Sequence, residues 1–359
     1  MGPWLLSKPL SQPKIQAFAP GSFMFFGEHA VLHGESAVAM PIAQGIQLEL
    51  EILENNGLEL FTASLGALNL SWDQIAAQSQ DFNFQSEWRF VVAAITECYV
   101  LWQEQEKNRK QRLGINFGLR LKLKSEIPST WGLGSSAAVV AVVLKALNQI
   151  NNSAQENLET LWNMGLKAIR KVQGLGSGAD LAVSLYGRGI LLCKNKVRIL
   201  EGDLDLLKQA RWYLVYSGFK TPTVQVVKQV EQEAKNFPGM DLIHKEIYKT
   251  MGLVTEQAVF EIENFKSSPK SGGNRENTEA VSRLSRLVDM QHSLLCALGV
   301  GHVKLEAMIQ DLKTNAKAKI KILAAKISGS GLGDCLLLWG GDETYLREHY
   351  SERLWPLKF

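Results

Sequence analysis

Hydrophobic and polar residues alternate regularly between Ile115 and Lys124, where every second side chain is apolar. A period of two is typical of a strand with one buried face. This strand leads into a glycine- and serine-rich stretch at 126–138, and the residues that follow, 139–144, are apolar without interruption. We therefore predict a strand, a tight turn and a buried helix over 135–149.

The rest of the chain mixes apolar spacings of three and four residues, typical of helices, with short runs typical of strands. Strands are predicted at 36–42, 45–53, 58–63, 189–195, 212–217, 320–328 and 335–339, and as two short strands within 14–26 broken at Pro20-Gly21. Helices are predicted at 86–102, 156–171, 222–236, 243–264, 279–298 and 303–313, with another that begins near Asp180. Connections are predicted at 104–112 and 267–275.

At 359 residues the chain is long for one hydrophobic core, and we predict two domains, 1–205 and 206–359. The net charge is only +3 with no concentrated basic segment, so nucleic acid and anionic membranes are not expected partners. The four cysteines form no C-x-x-C pair, which favours a reducing, cytoplasmic compartment and disfavours structural zinc. We recognise no signal peptide and no apolar run long enough to span a membrane.

The turn around Gly132 and Gly134 is the first candidate for ligand binding. Glycines let the backbone approach a ligand closely, and a helix that begins at Ser135 and Ser136 directs free N–H groups at one spot, which suits a phosphate. The serine hydroxyls could cap the helix, contact a phosphate or bind phosphate-bound Mg²⁺. No Walker sequence is present, and the context does not suit a dinucleotide site. A capped glycine turn before a core helix is the structural alternative.

Two further stretches carry acidic residues with two interpretations each. Glu28 and His29 stand side by side between glycines and could form a polar pocket floor or a satisfied buried pair. Asp180 follows three glycines at alternate positions and begins an apolar helix. It could complement the helix dipole, or it could accept a proton from a substrate hydroxyl. A third glycine-rich turn lies at Ser328–Asp334.

Together these stretches resemble the GHMP kinase superfamily, which includes galactokinase, homoserine kinase, mevalonate kinase and phosphomevalonate kinase. Its three motifs occur in the same order and at similar separations, and we call them motif one (19–34), motif two (132–138) and motif three (326–335). Similarity to the mevalonate kinase family is carried by Gly27–Gly34, Lys220–Thr223 and Ala297–His302. Similarity to phosphomevalonate kinases is carried by Gly176–Ser184 and Gly333–Cys335.

The resemblance implies an α+β, two-domain GHMP kinase fold, with an N-terminal α/β domain, a helix-rich C-terminal α/β domain and the active site in the cleft between them. It implies ATP-dependent phosphorylation of the mevalonate hydroxyl to phosphomevalonate, with Mg²⁺ as cofactor, and it allows a homodimer. Asp180 would be the catalytic carboxylate and Ser136 the Mg²⁺ ligand. The implied ATP-binding residues are Thr130, Trp131, Gly132, Leu133, Gly134, Ser135, Ser136, Ser330 and Gly331. The implied acceptor-binding residues are Ser22, Glu28, His29 and Lys220.

Two positions depart from the mevalonate kinase pattern. Ser22 stands where these kinases have a lysine, and Ile169 stands where they have a glutamate that binds Mg²⁺. Loss of one aimed electrostatic donor commonly lowers turnover by about 100- to 1,000-fold. Candidates for a replacement cation are Lys220, Lys171 and Arg170. The alternatives that stay open are phosphomevalonate as acceptor, a phosphorylation coupled to decarboxylation, and a non-catalytic homologue that binds ATP or an isoprenoid precursor.

Overall fold

The structure is a computed structural model that describes residues 14–109, 117–128, 130–150, 157–265, 275–314 and 322–359. Its strands are β1 (Ile15–Phe26), β2 (Ala37–Leu53), β3 (Leu58–Thr62), β4 (Gly66–Leu70), β5 (Gly118–Ser125), β6 (Ile190–Cys193), β7 (Lys196–Ile199), β8 (Trp212–Tyr216), β9 (Ile322–Ser328), β10 (Cys335–Gly340) and β11 (Leu354–Leu357). Its helices are α1 (Trp72–Gln80), α2 (Arg89–Arg109), α3 (Ser135–Ile150), α4 (Leu158–Gln173), α5 (Ala179–Tyr186), α6 (Thr223–Asn236), α7 (Met240–Asn264), α8 (Arg275–Ala297), α9 (Val303–Thr314) and α10 (Glu343–Tyr350).

The described residues form two compact units, each built from separate stretches of the chain. The first unit contains residues 14–19, 45–126 and 136–174, and the second contains residues 20–44, 127–135 and 175–359. Both β1 and β2 therefore pass from one unit into the other. The predicted division into 1–205 and 206–359 is not tested by these units and stays a prediction.

The first unit is built on a sheet with the strand order β4-β3-β5-β2. Here β5 runs parallel to β3 and antiparallel to β2. The predicted alternation of β5 is confirmed, because Leu119 and Leu121 are fully buried while Arg120 pairs with Glu51 at 2.9 Å and Glu59 at 2.7 Å. Helix α2 packs against α1 and α4. The sheet thus has an apolar face and a face of cross-strand ion pairs.

The second unit is built on an antiparallel sheet with the strand order β11-β8-β10-β9. Buried residues from these strands and from α6 to α10 form one continuous hydrophobic cluster. In the same unit, residues 37–39 of β2 pair with β6, which pairs with β7. This unit contains motif one from residue 20 onward, the turn of motif two, Asp180 and all of motif three.

Three predictions about element boundaries are wrong. β1 is one strand, because Pro20 is compatible with an extended backbone and lacks only the backbone N–H donor. Gly21 has no side chain that would collide with the carbonyl oxygen of Leu133, so the strand can pass it. β2 is also continuous, and Gly45 serves a close approach, since a Cβ there would lie 2.3 Å from the carbonyl oxygen of Ala19. α2 extends to Arg109, into the predicted charged connection 104–112, because Glu, Gln, Lys and Arg are good helix formers; residues 110–112 lie outside the described residues.

The other predicted strands and helices are confirmed to within a few residues at their ends. The sequence did not predict five short elements, β4, α1, β7, α10 and β11. Each is too short for its hydrophobic residues to establish a clear period. The predicted connection 267–275 lies outside the described residues except for Arg275, where α8 begins. In the part of the chain that the structure describes, no helix has the length and apolar character needed to cross a bilayer.

Candidate active site

Asp180 lies in the first turn of α5 and contacts motif one. The hydroxyl of Ser22 on β1 donates a hydrogen bond of 2.8 Å to Asp180 Oδ1. Four residues later on α5, Ser184 donates a hydrogen bond of 2.8 Å to the carbonyl oxygen of Pro20. Two hydrogen bonds therefore fix α5 against β1, and they hold the Asp180 carboxylate in one orientation.

The surroundings of Asp180 favour its protonated form more than water would. Burial raises the pKa of the Asp180 carboxyl above its usual value, and the hydrogen bond from Ser22 opposes that shift. A carboxylate with a raised pKa is a stronger proton acceptor than an exposed aspartate. Ser22 itself is fully buried, so water does not compete with Asp180 for the hydrogen bond of its hydroxyl.

The turn of motif two lies directly against Ser22. The backbone N–H of Ser22 donates to the carbonyl oxygen of Leu133 at 3.1 Å. Gly134 has a φ of +66°, and a Cβ at this position would lie 2.1 Å from Ser22 Oγ. Only glycine fits here, because the conformation is left-handed and the space is taken. The predicted start of the helix at Ser135 is confirmed.

Trp131 anchors the motif-two turn on the protein side. Its side chain is 9% exposed and stacks on Tyr216, with 5.4 Å between ring centroids. Its carbonyl oxygen accepts a hydrogen bond of 3.3 Å from the thiol of Cys335. The indole therefore packs inside the protein. The predicted contact of Trp131 with ATP stays a prediction, and it would have to be made by the backbone of this residue.

Motif three supplies polar atoms that have no partner in the described part of the chain. Ser330 Oγ and Asp334 Oδ1 are both buried and make no hydrogen bond there. Burial raises the pKa of Asp334 to about 6, and the positive charge of Lys220 opposes the shift. Asp334 also lies next to Gly132, where a Cβ would come within 3.1 Å of its carboxyl carbon. Buried polar atoms without partners are rare in folded proteins and are typical of ligand sites.

His29 joins motif one to motif three. Its Nε2 lies 2.7 Å from the carbonyl oxygen of Ser330 and must carry the hydrogen, since a carbonyl oxygen can only accept. Burial lowers the pKa of His29, so the imidazole is neutral at pH 7. His29 also has a φ of +60°, which is uncommon for a residue with a side chain. The strained backbone and the hydrogen bond together fix this ring beside the motif-three turn.

Glu28 belongs to a buried cluster that the sequence did not reveal. Lys326 donates a hydrogen bond to Glu28 Oε1 and a second one, of 2.6 Å, to the carbonyl oxygen of Ile327. Gln291 donates to Glu28 Oε2 at 3.1 Å. Burial lowers the pKa of Lys326, and the charge of Glu28 opposes that shift. The one local signal was a lysine in an otherwise largely apolar strand, β9.

The other predicted site residues are distributed over both units. Lys220 is exposed and follows β8 in the second unit. Ser136 is half-buried on α3, and Ile169 is buried on α4, both in the first unit. Lys171 also lies in the first unit, where it pairs with Glu97 at 2.5 Å. The roles of these residues, like the predicted contact of Glu28 with the acceptor, stay predictions.

Comparison with known proteins finds similarity to one group of kinases. The family model of the GHMP kinases N terminal domain matches residues 95–188, a segment that includes motif two and Asp180. The mevalonate kinase of Pyrococcus furiosus is 27% identical over 90% of this chain and 88% of its own length. The mevalonate kinase of Arabidopsis thaliana is 25% identical over 90% of each chain.

Solved structures show the same fold. The crystal structure of the mevalonate kinase of Methanococcus jannaschii superposes with a TM-score of 0.72 at 21% identity, over 98% of this chain and 99% of that one. The fold predicted from the motifs is therefore confirmed. The matched segment holds motif two and Asp180, and the likeness in sequence and fold covers nearly all of the chain. In sequence, residues 95–188 match the GHMP kinases N terminal domain, and the chain is similar over most of its length to mevalonate kinases.

Proposed function

We propose that this protein phosphorylates the hydroxyl group of mevalonate with ATP and releases phosphomevalonate and ADP. The curated relatives that are similar over most of their length are mevalonate kinases, which supports this acceptor. The observation that carries the proposal is the hydrogen bond between Ser22 and Asp180 beside Gly134. It places a carboxylate with a raised pKa next to a glycine turn suited to phosphate.

In the proposed reaction Asp180 accepts the proton of the acceptor hydroxyl. The hydroxyl oxygen attacks the γ-phosphorus of ATP, the new P–O bond forms, and the bond to the β-phosphate oxygen breaks so that ADP leaves with the electron pair. Catalysis of this kind depends on positioning and on charge neutralisation. Ser22 orients the Asp180 carboxylate by the 2.8 Å hydrogen bond, and its donation stabilises the ionised form that must act as the base.

The residues of motifs two and three fit a triphosphate. Gly132 and Gly134 have positive φ angles and present backbone rather than side chains, and the turn ends where α3 begins. Ser330 Oγ is a buried hydroxyl without a partner in the described part of the chain, so a phosphate oxygen would satisfy it. Ser136 would hold Mg²⁺, which would neutralise phosphate charge when bound. A single protein hydroxyl suits this ion, because Mg²⁺ keeps several waters and phosphate oxygens as ligands.

We assign the role of the missing lysine to Lys220. Ser22 uses its hydroxyl on Asp180 and carries no charge. Lys171 is compensated by Glu97, whereas Lys220 is exposed and close enough to Asp334 to lower the pKa of that carboxyl. Because Lys220 is exposed and lies outside the helices and strands, its side chain can turn towards a bound phosphate. The cytoplasmic location and the homodimer remain predictions that accompany this proposal.

Gly134→Ala is expected to lower kcat by about 100-fold, since a misplacement of about 1 Å at a reacting group can cost that much. The new methyl group would displace Ser22 Oγ, which holds Asp180. Gly174→Ala is the matched control, because Gly174 has a similar φ of +76° but nothing within 4 Å of its Cβ position. Both variants should lose similar stability from backbone strain. Equal kcat values in steady-state assays of the two variants would contradict the proposed role of the Ser22 contact.

The function itself is tested by a coupled ADP-release assay with ATP and Mg²⁺ against mevalonate, phosphomevalonate and other small alcohols. We expect turnover that depends on mevalonate, with phosphomevalonate inactive as acceptor. Turnover with phosphomevalonate alone would reassign the acceptor. Nucleotide binding without turnover of any acceptor would favour the non-catalytic alternative.

A further inference from the structure

A cluster of three metal-ligating side chains lies where α8 meets α9, in the second unit. His292 and Cys296 are one helical turn apart on α8, and Glu306 lies in the first turn of α9. Their ligand atoms all lie within 4.8 Å of one another. Glu306 Oε2 is 3.2 Å from His292 Nε2, Glu306 Oε1 is 3.2 Å from Cys296 Sγ, and Cys296 Sγ is 3.7 Å from His292 Nε2.

The connection between the two helices is shaped to bring these groups together. A Cβ at Gly301 would lie 3.2 Å from Cys296 Sγ and 3.5 Å from Glu306 Oε1, so a side chain at this position would crowd both groups. Gly299 has a φ of +83°, which allows the sharp reversal after α8. The two glycines therefore leave the space in which Cys296 and Glu306 approach each other.

The separations of Cys296 Sγ from His292 Nε2 (3.7 Å) and of His292 Nε2 from Glu306 Oε2 (3.2 Å) are close to those in a tetrahedral zinc site, while the 3.2 Å contact of Sγ is with the other carboxylate oxygen, Oε1. Zinc binds sulfur at about 2.3 Å and imidazole nitrogen or carboxylate oxygen at about 2.0–2.2 Å, which places tetrahedral ligand atoms about 3.3–3.7 Å apart. A set of one nitrogen, one sulfur and one oxygen also suits zinc better than the oxygen-preferring Mg²⁺ or Ca²⁺. His292 is buried, Cys296 is half-buried and Glu306 is exposed, so the cluster can be reached from solvent.

We propose that His292, Cys296 and Glu306 bind a zinc ion, with water as the fourth ligand. The sequence disfavoured structural zinc because the cysteines form no C-x-x-C pair. Here the ligands are a single cysteine, a histidine four residues before it and a glutamate from the next helix, which no paired-cysteine pattern would reveal. The proposal does not depend on the acceptor of the kinase reaction.

The protonation of the cluster makes binding dependent on pH. Burial lowers the pKa of His292, Glu306 opposes that shift, and the charges of Lys326 and Lys313 lower the pKa further, so the imidazole is neutral and ready to ligate. Burial and the Glu306 charge raise the pKa of the Cys296 thiol to about 12 in the metal-free cluster. Zinc must therefore displace the thiol proton, which now bonds to Glu306, and affinity is expected to rise with pH.

Zinc at this position would tie α8 to the segment that supports motif three. The carbonyl oxygen of Val300, between Cys296 and Glu306, accepts a hydrogen bond of 2.9 Å from the backbone N–H of Leu332. A Cβ at Gly331 would also lie 2.5 Å from the same oxygen. The ion would thus stabilise the backbone on which the motif-three turn rests.

Cobalt(II) titration of the metal-free full-length protein tests this site, since cobalt reports tetrahedral thiolate ligation by absorption. We expect a thiolate-to-cobalt charge-transfer band and intense visible bands, both lost on addition of zinc. Cys296→Ser should remove the charge-transfer band and weaken zinc binding by more than about 100-fold, because even groups outside the ligand sphere change metal affinity by about 10- to 100-fold. Cys193→Ser is the matched control, a half-buried cysteine outside the cluster, and should keep the band.

A second variant separates ligation from misfolding. Glu306→Gln changes an exposed side chain and should weaken zinc binding while the far-UV circular dichroism stays unchanged. In the unmodified protein, added zinc should raise the melting temperature, and this rise should be absent in both cluster variants. No thiolate-to-cobalt band in the unmodified protein, or the same band and zinc affinity in Cys296→Ser, would overturn the proposal.

Discussion

Asp180→Asn is expected to lower kcat by about 100- to 10,000-fold, the range that a positioned general base contributes. The amide oxygen of asparagine can still accept the hydrogen bond from Ser22, so the geometry around the site is preserved. The amide cannot take the proton of the acceptor hydroxyl. ATP affinity should therefore remain nearly unchanged, because the proposed phosphate contacts come from the glycine turns of motifs two and three.

Steady-state kinetics measures kcat, and nucleotide titration measures the affinity for ATP. Asp203→Asn is the control, since Asp203 is an exposed acid of the same unit. The pKa of Asp180 is raised by burial, and the base is active only when ionised. The kcat/KM of the unmodified protein should therefore fall as the pH drops through a value above 3.8. A kcat of Asp180→Asn within a few-fold of the unmodified protein would remove Asp180 as the base.

Lys326→Met is expected to lower the free energy of unfolding by about 3–5 kcal/mol, the cost of leaving one partner of a buried ion pair uncompensated. Glu28 is 2% exposed and, among the described residues, would keep the side-chain hydrogen bond from Gln291. Neutralising the acid as well, in the double variant Glu28→Gln with Lys326→Met, should recover most of the loss. Denaturant unfolding of the single and double variants measures the coupling between the two residues.

The control for the buried pair is an exposed one. Lys249 and Glu246 lie 3.5 Å apart on the surface of α7, with more than half of each side chain exposed. Glu246→Gln should change the free energy of unfolding by less than about 1 kcal/mol. If Lys326→Met cost no more than this control, the Glu28–Lys326 pair would not hold motif one to β9 as the structure indicates.

The sequence predicted the features that depend on local pattern. The alternation in β5, the turn at Gly132–Gly134 and the start of α3 follow from spacing and from glycine and serine chemistry, and the structure confirms them. Asp180 was predicted at the start of a helix, as observed. The choice between a helix-dipole role and a catalytic role for Asp180 depends on the hydrogen bond from Ser22. Ser22 is 158 residues away in the chain, so the local sequence could not reveal this contact.

The features that were missed depend on long-range packing. Glu28 meets Lys326 across 298 residues, so neither the buried pair nor the contact with Gln291 leaves a pattern in either segment. The burial of Asp334, which raises its pKa to about 6, results from how motif three folds against motif two. The sequence also predicted breaks at Pro20-Gly21 and at residues 43–44, but both positions lie inside continuous strands.

The central claim is that Asp180 faces the acceptor hydroxyl beside a triphosphate held by motifs two and three. A crystal structure with a non-hydrolysable ATP analogue, Mg²⁺ and mevalonate tests it most directly. We expect the mevalonate hydroxyl oxygen about 3 Å from an Asp180 carboxylate oxygen, as a general base requires. The γ-phosphate should contact the backbone of Gly132–Gly134. A bound acceptor whose hydroxyl lies beyond reach of Asp180, or a triphosphate bound away from both motifs, would contradict the account.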